Sequence, residues 1–473
     1  MILCLVKPMK RFVCVIFLIA GATWAAPSQA SPILEDEAIR KMLSTRVDVQ
    51  KQATGIVVGI IDSKGSHVVS YGTMGLGDEL PVNGDTVFDI GSITKVFTSL
   101  LLADMAQRGE VKIDDPAAKY LDEKKLKLPE RGSKQITLVD LATHTSGLPL
   151  RPTNLVSKDP NDKYRGYTVD LMYECLSSFT LPRDIGTKYE YSNLGYGLLG
   201  HVLEKRLGRT YADLVESRIT QPLEMKDTRI DLTPAMKSRM AAGYNNELMP
   251  IPTEWHFGAL QSAGAFASTA NDLLKFLGAV LGYKQSPLLS AMKSMLDIRR
   301  PGGMQPSTQI ALAWNVYVDG GQEVVWKNGS VGGYRSFIGF DAKARVGVVA
   351  LANAQTAVGA DDIGLHLLDE HIPVDLHIPK PHKEIVLRPE ILDRYTGRYQ
   401  FSPTDIMTVT REGNHLVGQL LDGQRFEMFA ESEHDFFMKI ADAQVTFESS
   451  GQGPAKVAIW HQGGQDQKGE RIE

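Results

Sequence analysis

Gly91-Ser-Ile-Thr-Lys-Val-Phe-Thr-Ser-Leu-Leu-Leu-Ala-Asp-Met-Ala-Gln-Arg-Gly109 is the stretch on which the reading of this chain turns. Val96, Phe97, Leu100, Leu101 and Met105 recur with the period of a helix, and Gly109 supplies its stop. Ser92 and Lys95 stand at i and i+3, so their side chains leave one face, at the end where the helix dipole is positive. A serine hydroxyl is a weak nucleophile that needs an adjacent base, and a lysine amine can serve once burial and nearby cations depress its pKa. The pair alone is a weak signal. A second copy, Ser290-Ala-Met-Lys293, lies on an amphipathic stretch with nothing to support it.

Two further elements give Ser92 its context. Tyr191-Ser-Asn193 precedes an apolar helical run, and Lys327-Asn-Gly329 ends a run of strand character. Tyr244-Asn-Asn246 imitates the first, whereas K-x-G occurs once. In order, spacing and context the three motifs resemble those of the serine hydrolases of the class C β-lactamase and DD-peptidase (penicillin-binding) family, which use S-x-x-K, Y-x-N and K-T-G or H-x-G. Leu141-Ala-Thr-His-Thr-Ser-Gly-Leu-Pro149 and Ser262-Ala-Gly-Ala-Phe-Ala-Ser-Thr-Ala270 look like that family's connecting segments, and the resemblance runs from about residue 35 to 371.

The resemblance implies that Ser92 attacks a carbonyl carbon, that Lys95 and Tyr191 relay its proton, and that Asn193 donates to the substrate's side-chain amide. Backbone N–H groups of Ser92 and Ser330 would form the oxyanion hole. Lys327, Asn328 and Gly329 would line the substrate wall, with Lys rather than His at 327 favouring substrates that carry a free carboxylate. Asn328 stands where the family usually has Thr, which leaves the substrate class open. Two ammonium groups, Lys95 and Lys327, are expected to favour the Tyr191 phenolate and lower its pKa.

The fold expected is α/β (α+β), a β-lactamase/transpeptidase-like antiparallel sheet with flanking helices and an inserted helical subdomain. A helix to about Gln52 leads into strands at Gly55–Asp62 and His67–Tyr71; after Pro301 come strands at Gln309–Val318, Glu323–Lys327, Arg335–Phe340 and Arg345–Leu351, then a helix near Asp361–His371. The catalytic domain would span 31–372. A linker spaced by Pro373, Pro379 and Pro381 covers 373–388. Residues 389–473 then carry about eight short strand-like segments, from Gly397-Arg-Tyr-Gln-Phe to Val457-Ala-Ile-Trp, and suit a small lipocalin-like antiparallel barrel.

Residues 1–30 read as a signal peptide: Lys7, Lys10 and Arg11, the apolar stretch from Phe12 to Ala20, then small residues to Ala30. Their removal takes Cys4 and Cys14 with it, leaves Cys175 as a buried thiol, and moves the net charge from -5 to -8. The mature protein would be exported, to the periplasm or the medium, with no integral membrane span. At 473 residues, 43% hydrophobic and 23% charged, the chain has globular proportions and no basic run, so nucleic acid is not an expected partner.

Competing chemistries have little purchase. There is no G-x-S-x-G elbow. His366-Leu-Leu-Asp-Glu-His371 has neither spacing of a zinc helix, so no metal and no cofactor are expected. The triplets at His256 and His461 fall outside the expected wall strand, and His144 reads as a loop-ordering residue. The expected substrate is a small molecule or muropeptide: a β-lactam, a D-alanyl peptide or both. A carboxylesterase of the same fold and a penicillin-binding sensor without turnover remain alternatives, and the partner of the C-terminal domain is unknown.

Overall fold

Gly55–Asp62 (β1) is apolar along nearly its whole length and is buried on both faces, the behaviour of a central strand covered by helices on each side. It pairs with Gly65–Gly72 (β2) and with the late strand Val346–Ala352 (β8), with Ile56 opposite Ala352 and Ile60 opposite Val348. The remaining strands are Arg300–Pro301 (β3), Thr308–Ile310 (β4), Asn315–Asp319 (β5), Gln322–Val331 (β6) and Tyr334–Asp341 (β7). The order across this eight-stranded antiparallel sheet is β2-β1-β8-β7-β6-β5-β4-β3. The computed structural model describes residues 34–472 apart from 123–125, 157–158, 160–161, 252–254, 303–307, 320, 357–358, 376–381, 403–404, 421–424, 440–442, 450–452 and 463–464. The expected leader, 1–30, and residues 376–381 of the linker lie outside the described residues.

The pleat sorts β1 onto two cores. Val57 and Ile61, with Val349 and Leu351, pack against Leu273 and Leu277 of the helix Ala270–Val280. Ile56, Val58 and Ile60, with Val348 and Ala350, pack against Ile39 and Leu43 of the helix Asp36–Ser44 and Ile363 of the helix Asp361–Leu368. Between β2 and β3 the chain is mainly helical. At its centre Thr94–Gln107 is buried almost all round, as a helix with apolar residues on every face must be.

The wall strand runs Gln322–Val331, beyond the expected Glu323–Lys327, so Lys327-Asn-Gly329 lies inside it rather than at its end. Three further expected boundaries shift. The first helix ends at Ser44 in a wide turn, Thr45–Val49, that carries the buried Arg46 to the Gly359 carbonyl (2.7 Å) and the Asp362 carboxylate (2.7 Å). Gln309–Val318 is two strands, not one. The chain turns between them, Ala313 takes φ +69°, and Trp314 goes into the core at 2% exposure. The last helix of this region stops at Leu368 rather than His371, where Asp369 becomes extended.

Beyond residue 396, eight strands close into an antiparallel barrel in which the last strand, Gln465–Arg471, pairs with the first, Gly397–Ser402. That closing strand has no apolar side chain and hence no periodicity to read. The barrel has its own core of Tyr399, Met407, Leu416, Met428 and Phe447. It touches the rest of the protein at Asn246, whose Nδ2 donates to the Lys439 carbonyl (3.1 Å).

Candidate active site

Ser92 sits in one 3₁₀ turn, Gly91–Ile93, that feeds the helix Thr94–Gln107. A turn later Lys95 is buried, with Nζ donating to Ala263 O (2.6 Å), Asn193 Oδ1 (2.8 Å) and Ser92 Oγ (3.0 Å). Tyr191 O–H donates to the same Ser92 Oγ at 2.6 Å. The serine oxygen thus lies between an amine and a phenol.

Tyr191 is held by the segment around His144. Ser192 caps the helix Asn193–Leu207, its Oγ accepting from Gly195 N (2.8 Å) and donating to Pro149 O (2.7 Å). The Ser192 N–H donates to His144 Nδ1 (3.0 Å), and the His144 ring packs on the Tyr191 ring with centroids 4.3 Å apart. Burial and the neighbouring Lys327 and Lys95 depress the pKa of His144 well below its ordinary value. His144 is therefore a neutral support with its Nδ1 already occupied.

The opposite wall is β6. Gly329 passes so close to the segment before Ser92 that a Cβ there would stand 2.1 Å from Ile90 O and 2.5 Å from Ser336 Oγ. Only glycine fits. Ser336 Oγ donates to the same Ile90 carbonyl at 2.8 Å, tying β7 to the turn, and Ser330 N lies beside Gly91. Lys327 is buried, with Nζ 4.8 Å from the centroid of the Tyr191 ring, and Lys95 Nζ is 4.7 Å from the same centroid. The Asn328 side chain is engaged elsewhere: its amide donates to Asp361 Oδ2 on the helix Asp361–Leu368.

The electrostatics reverse one expectation. The pKa of Tyr191 is raised, not lowered, because burial of the whole phenol disfavours the phenolate more strongly than its contacts favour it. Both amines sit over the ring face rather than in line with the hydroxyl. They are themselves depressed: Lys95 falls well below its ordinary value through burial and then through Lys327, and burial brings Lys327 to about 8. Lys95 is the group that the fold drives toward a neutral base.

The decoys take structural roles. Ser290 Oγ accepts from the exposed Gln107 (3.1 Å). Tyr244 O–H is buried and accepts from Leu76 N at 2.6 Å. His366 and His371 bond to the Ile372 carbonyl and to Asp369, and Cys175 is buried beside Thr153.

The cleft in front of Ser92 has a volume of about 220 Å³ and is lined by Asn193 and Ser330, and also by Arg151, Lys163, Tyr164, Asn245, Trp255 and Phe257. The latter six come from loops without periodicity, and no spacing in the sequence marks them. Among the described residues, no helix is long and apolar enough to cross a membrane, and no group of His, Cys, Asp and Glu could hold a metal ion.

Residues 36–371 match the β-lactamase family, and residues 381–471 match a domain of unknown function, DUF3471. The chain belongs to the β-lactamase family. Within that family it is 28% identical over 355 residues to the D-alanyl-D-alanine-carboxypeptidase/endopeptidase AmpH of Escherichia coli (strain K12), covering 72% of this chain and 90% of that one. A penicillin-binding protein of Bacillus subtilis (strain 168) is 25% identical over 462 residues, 92% of this chain and 99% of its own. The crystal structure of a class C β-lactamase from Rhodobacter sphaeroides superposes with a TM-score of 0.59 at 27% identity, covering 71% of this chain and 99% of that one. The sheet flanked by helices is thus the β-lactamase fold.

Proposed function

We propose that this β-lactamase-family chain is an exported serine hydrolase that forms an acyl-enzyme on Ser92 and acts on D-alanyl peptides, β-lactams or both. The observation that carries the reading is the placement of Ser92 Oγ at 3.0 Å from Lys95 Nζ and 2.6 Å from the Tyr191 hydroxyl. A neutral Lys95 has two N–H groups and one lone pair. Asn193 Oδ1 and Ala263 O can only accept, so they take the two N–H groups and leave the lone pair to the Ser92 proton. Ser92 Oγ then bonds the carbonyl carbon as its proton passes to Lys95. When the scissile C–N bond breaks, Tyr191 gives its proton to the leaving nitrogen and regains one from Lys95.

Ser92 N and Ser330 N, brought together by the fit of Gly329 against Ile90, supply the oxyanion donors in this scheme. The resemblance to a D-alanyl-D-alanine-carboxypeptidase supports a D-alanyl substrate. Mass spectrometry after exposure to a penicillin tests the reading: a covalent adduct, or turnover of the drug, on the wild-type protein and neither on Ser92→Ala. An unmodified wild-type protein that leaves the penicillin intact would overturn it.

Lys327 reads substrate class. Its ammonium, in a desolvated wall, can pair with a carboxylate near the scissile bond, so Lys327→Ala is expected to cost about ten- to a hundredfold in kcat/KM on a D-alanyl peptide or β-lactam. An uncharged p-nitrophenyl ester should lose at least about tenfold less. The same preference depends on pH. Lys327 titrates at about 8, so the ammonium is present below that value and lost above it. The ratio of kcat/KM for the carboxylate substrate to that for the ester should therefore fall as pH rises through about 8. Equal losses in Lys327→Ala, with a flat ratio, would favour the esterase reading.

The barrel supports access rather than chemistry in this scheme, since Ser92, Lys95, Tyr191 and Lys327 all precede it. It holds Asn246, and the adjacent Asn245 lines the cleft. A protein ending near Pro381 is expected to be acylated by a small penicillin within a few fold of the full chain, with a raised KM for longer peptides. A truncated protein that folds by circular dichroism yet resists acylation would contradict this division of labour.

A further inference from the structure

Two cations in the cleft have no counter-charge among the described residues. Arg151 and Lys163 both line the 220 Å³ space in front of Ser92, and neither makes a hydrogen bond or ion pair with any described residue. Elsewhere in the fold Arg131 meets Asp184, Arg218 meets Glu110, Arg239 meets Asp227 and Arg300 meets Asp140. The carboxylate nearest in sequence, Asp162, is already engaged: it accepts from His256 N (2.9 Å) and Arg165 Nε (2.6 Å) and lies 2.7 Å from His256 Nδ1. Lys163 is half-buried, and burial followed by repulsion from Arg151 disfavours its charge. Two like charges held close together in a cleft, without a partner, are relieved by an anion.

Their position says which part of a substrate that anion belongs to. Tyr164, next to Lys163, also lines the cleft, and its hydroxyl accepts from Asn193 Nδ2 (3.3 Å). Asn193 in turn accepts from Lys95 through Oδ1, and in the proposed scheme, where the family resemblance makes it the donor to the substrate's side-chain amide, it marks the side of the cleft that would hold the acyl portion. Lys327, which would take the carboxylate of the leaving portion, belongs to β6.

We propose that Arg151 and Lys163 form an anion-reading pair on the acyl side of the cleft, selecting substrates that carry a carboxylate in the acyl chain as well as one beyond the scissile bond. The inference rests on the acyl-enzyme reading above and deepens it: the substrate class becomes an acidic acyl-D-alanyl peptide.

The test compares two substrates on the full chain, glutaryl-D-alanyl-D-alanine and its uncharged counterpart valeryl-D-alanyl-D-alanine. Wild type should prefer the glutaryl substrate by about tenfold or more in kcat/KM, and the preference should shrink with added salt, as an attraction at a partly exposed site does. The double variant Arg151→Gln, Lys163→Gln should lose about ten- to a hundredfold on the glutaryl substrate and stay within about threefold on the valeryl one. Its melting temperature should hold or rise, because the substitutions remove a repulsion and no hydrogen bond or ion pair with a described residue. Wild-type turnover of both substrates at equal rates, or equal losses on both in the double variant, would overturn the pair while leaving the hydrolase reading intact. Turnover of neither, together with failure of a penicillin to acylate Ser92, would overturn the hydrolase reading and the pair with it.

Discussion

Ser92→Ala is expected to abolish hydrolysis of every substrate the protein turns over, by a factor on the order of 10⁶, the scale seen when a covalent nucleophile is removed. Ser92 Oγ is the atom on which Lys95 and Tyr191 converge, and among the described residues no other hydroxyl is hydrogen-bonded to both. Ser290→Ala is the matched control because it shares the S-x-x-K spacing. Its hydroxyl only accepts from an exposed glutamine, so its loss should leave rates within a few fold. Measured as kcat/KM on one β-lactam or ester, comparable losses in the two variants would sink the assignment of Ser92.

Tyr191→Phe is expected to lower kcat by roughly 10²- to 10⁴-fold, the range for losing a proton-transfer group. The substitution keeps the ring that packs on His144 and lies under two amines, and deletes the hydroxyl 2.6 Å from Ser92 Oγ. Tyr244→Phe tests the opposite case. It removes the acceptor for the Leu76 N–H in a buried site, so it should cost about 1–3 kcal/mol of stability while leaving kcat nearly unchanged. Guanidinium denaturation and single-turnover kinetics on both variants separate the two effects. A Tyr191→Phe protein that kept its rate would leave Lys95 as sole proton carrier.

The convergence of Ser92, Lys95 and Tyr191 was legible because three short motifs each sit on an element the chain announces: a helix start, a capped helix and a strand that carries a glycine. Gly329 is the clearest instance, since a glycine in a K-x-G strand becomes a place where no Cβ fits. What the sequence could not supply is depth. Counting cations near Tyr191 gives a lowered pKa, whereas the fold buries the phenol and gives the reverse. The split of Gln309–Val318 was likewise hidden, because the turn that seats Trp314 has apolar residues like those of a strand. Arg151 and Lys163 carry no pattern at all, since a loop places them and only three dimensions show that they face one space.

The bond between Asn246 and the barrel has an asymmetry that bears on how such a protein can vary. Asn246 contributes a side-chain amide, but Lys439 contributes only a main-chain carbonyl, which any residue at that position would offer. Drift at position 439 is therefore invisible to the contact, whereas loss of the amide at 246 undoes it. The rim beside Asn245 can thus be altered from the side of position 246 by a single codon while the barrel's sequence wanders, without disturbing Ser92, Lys95 or Tyr191.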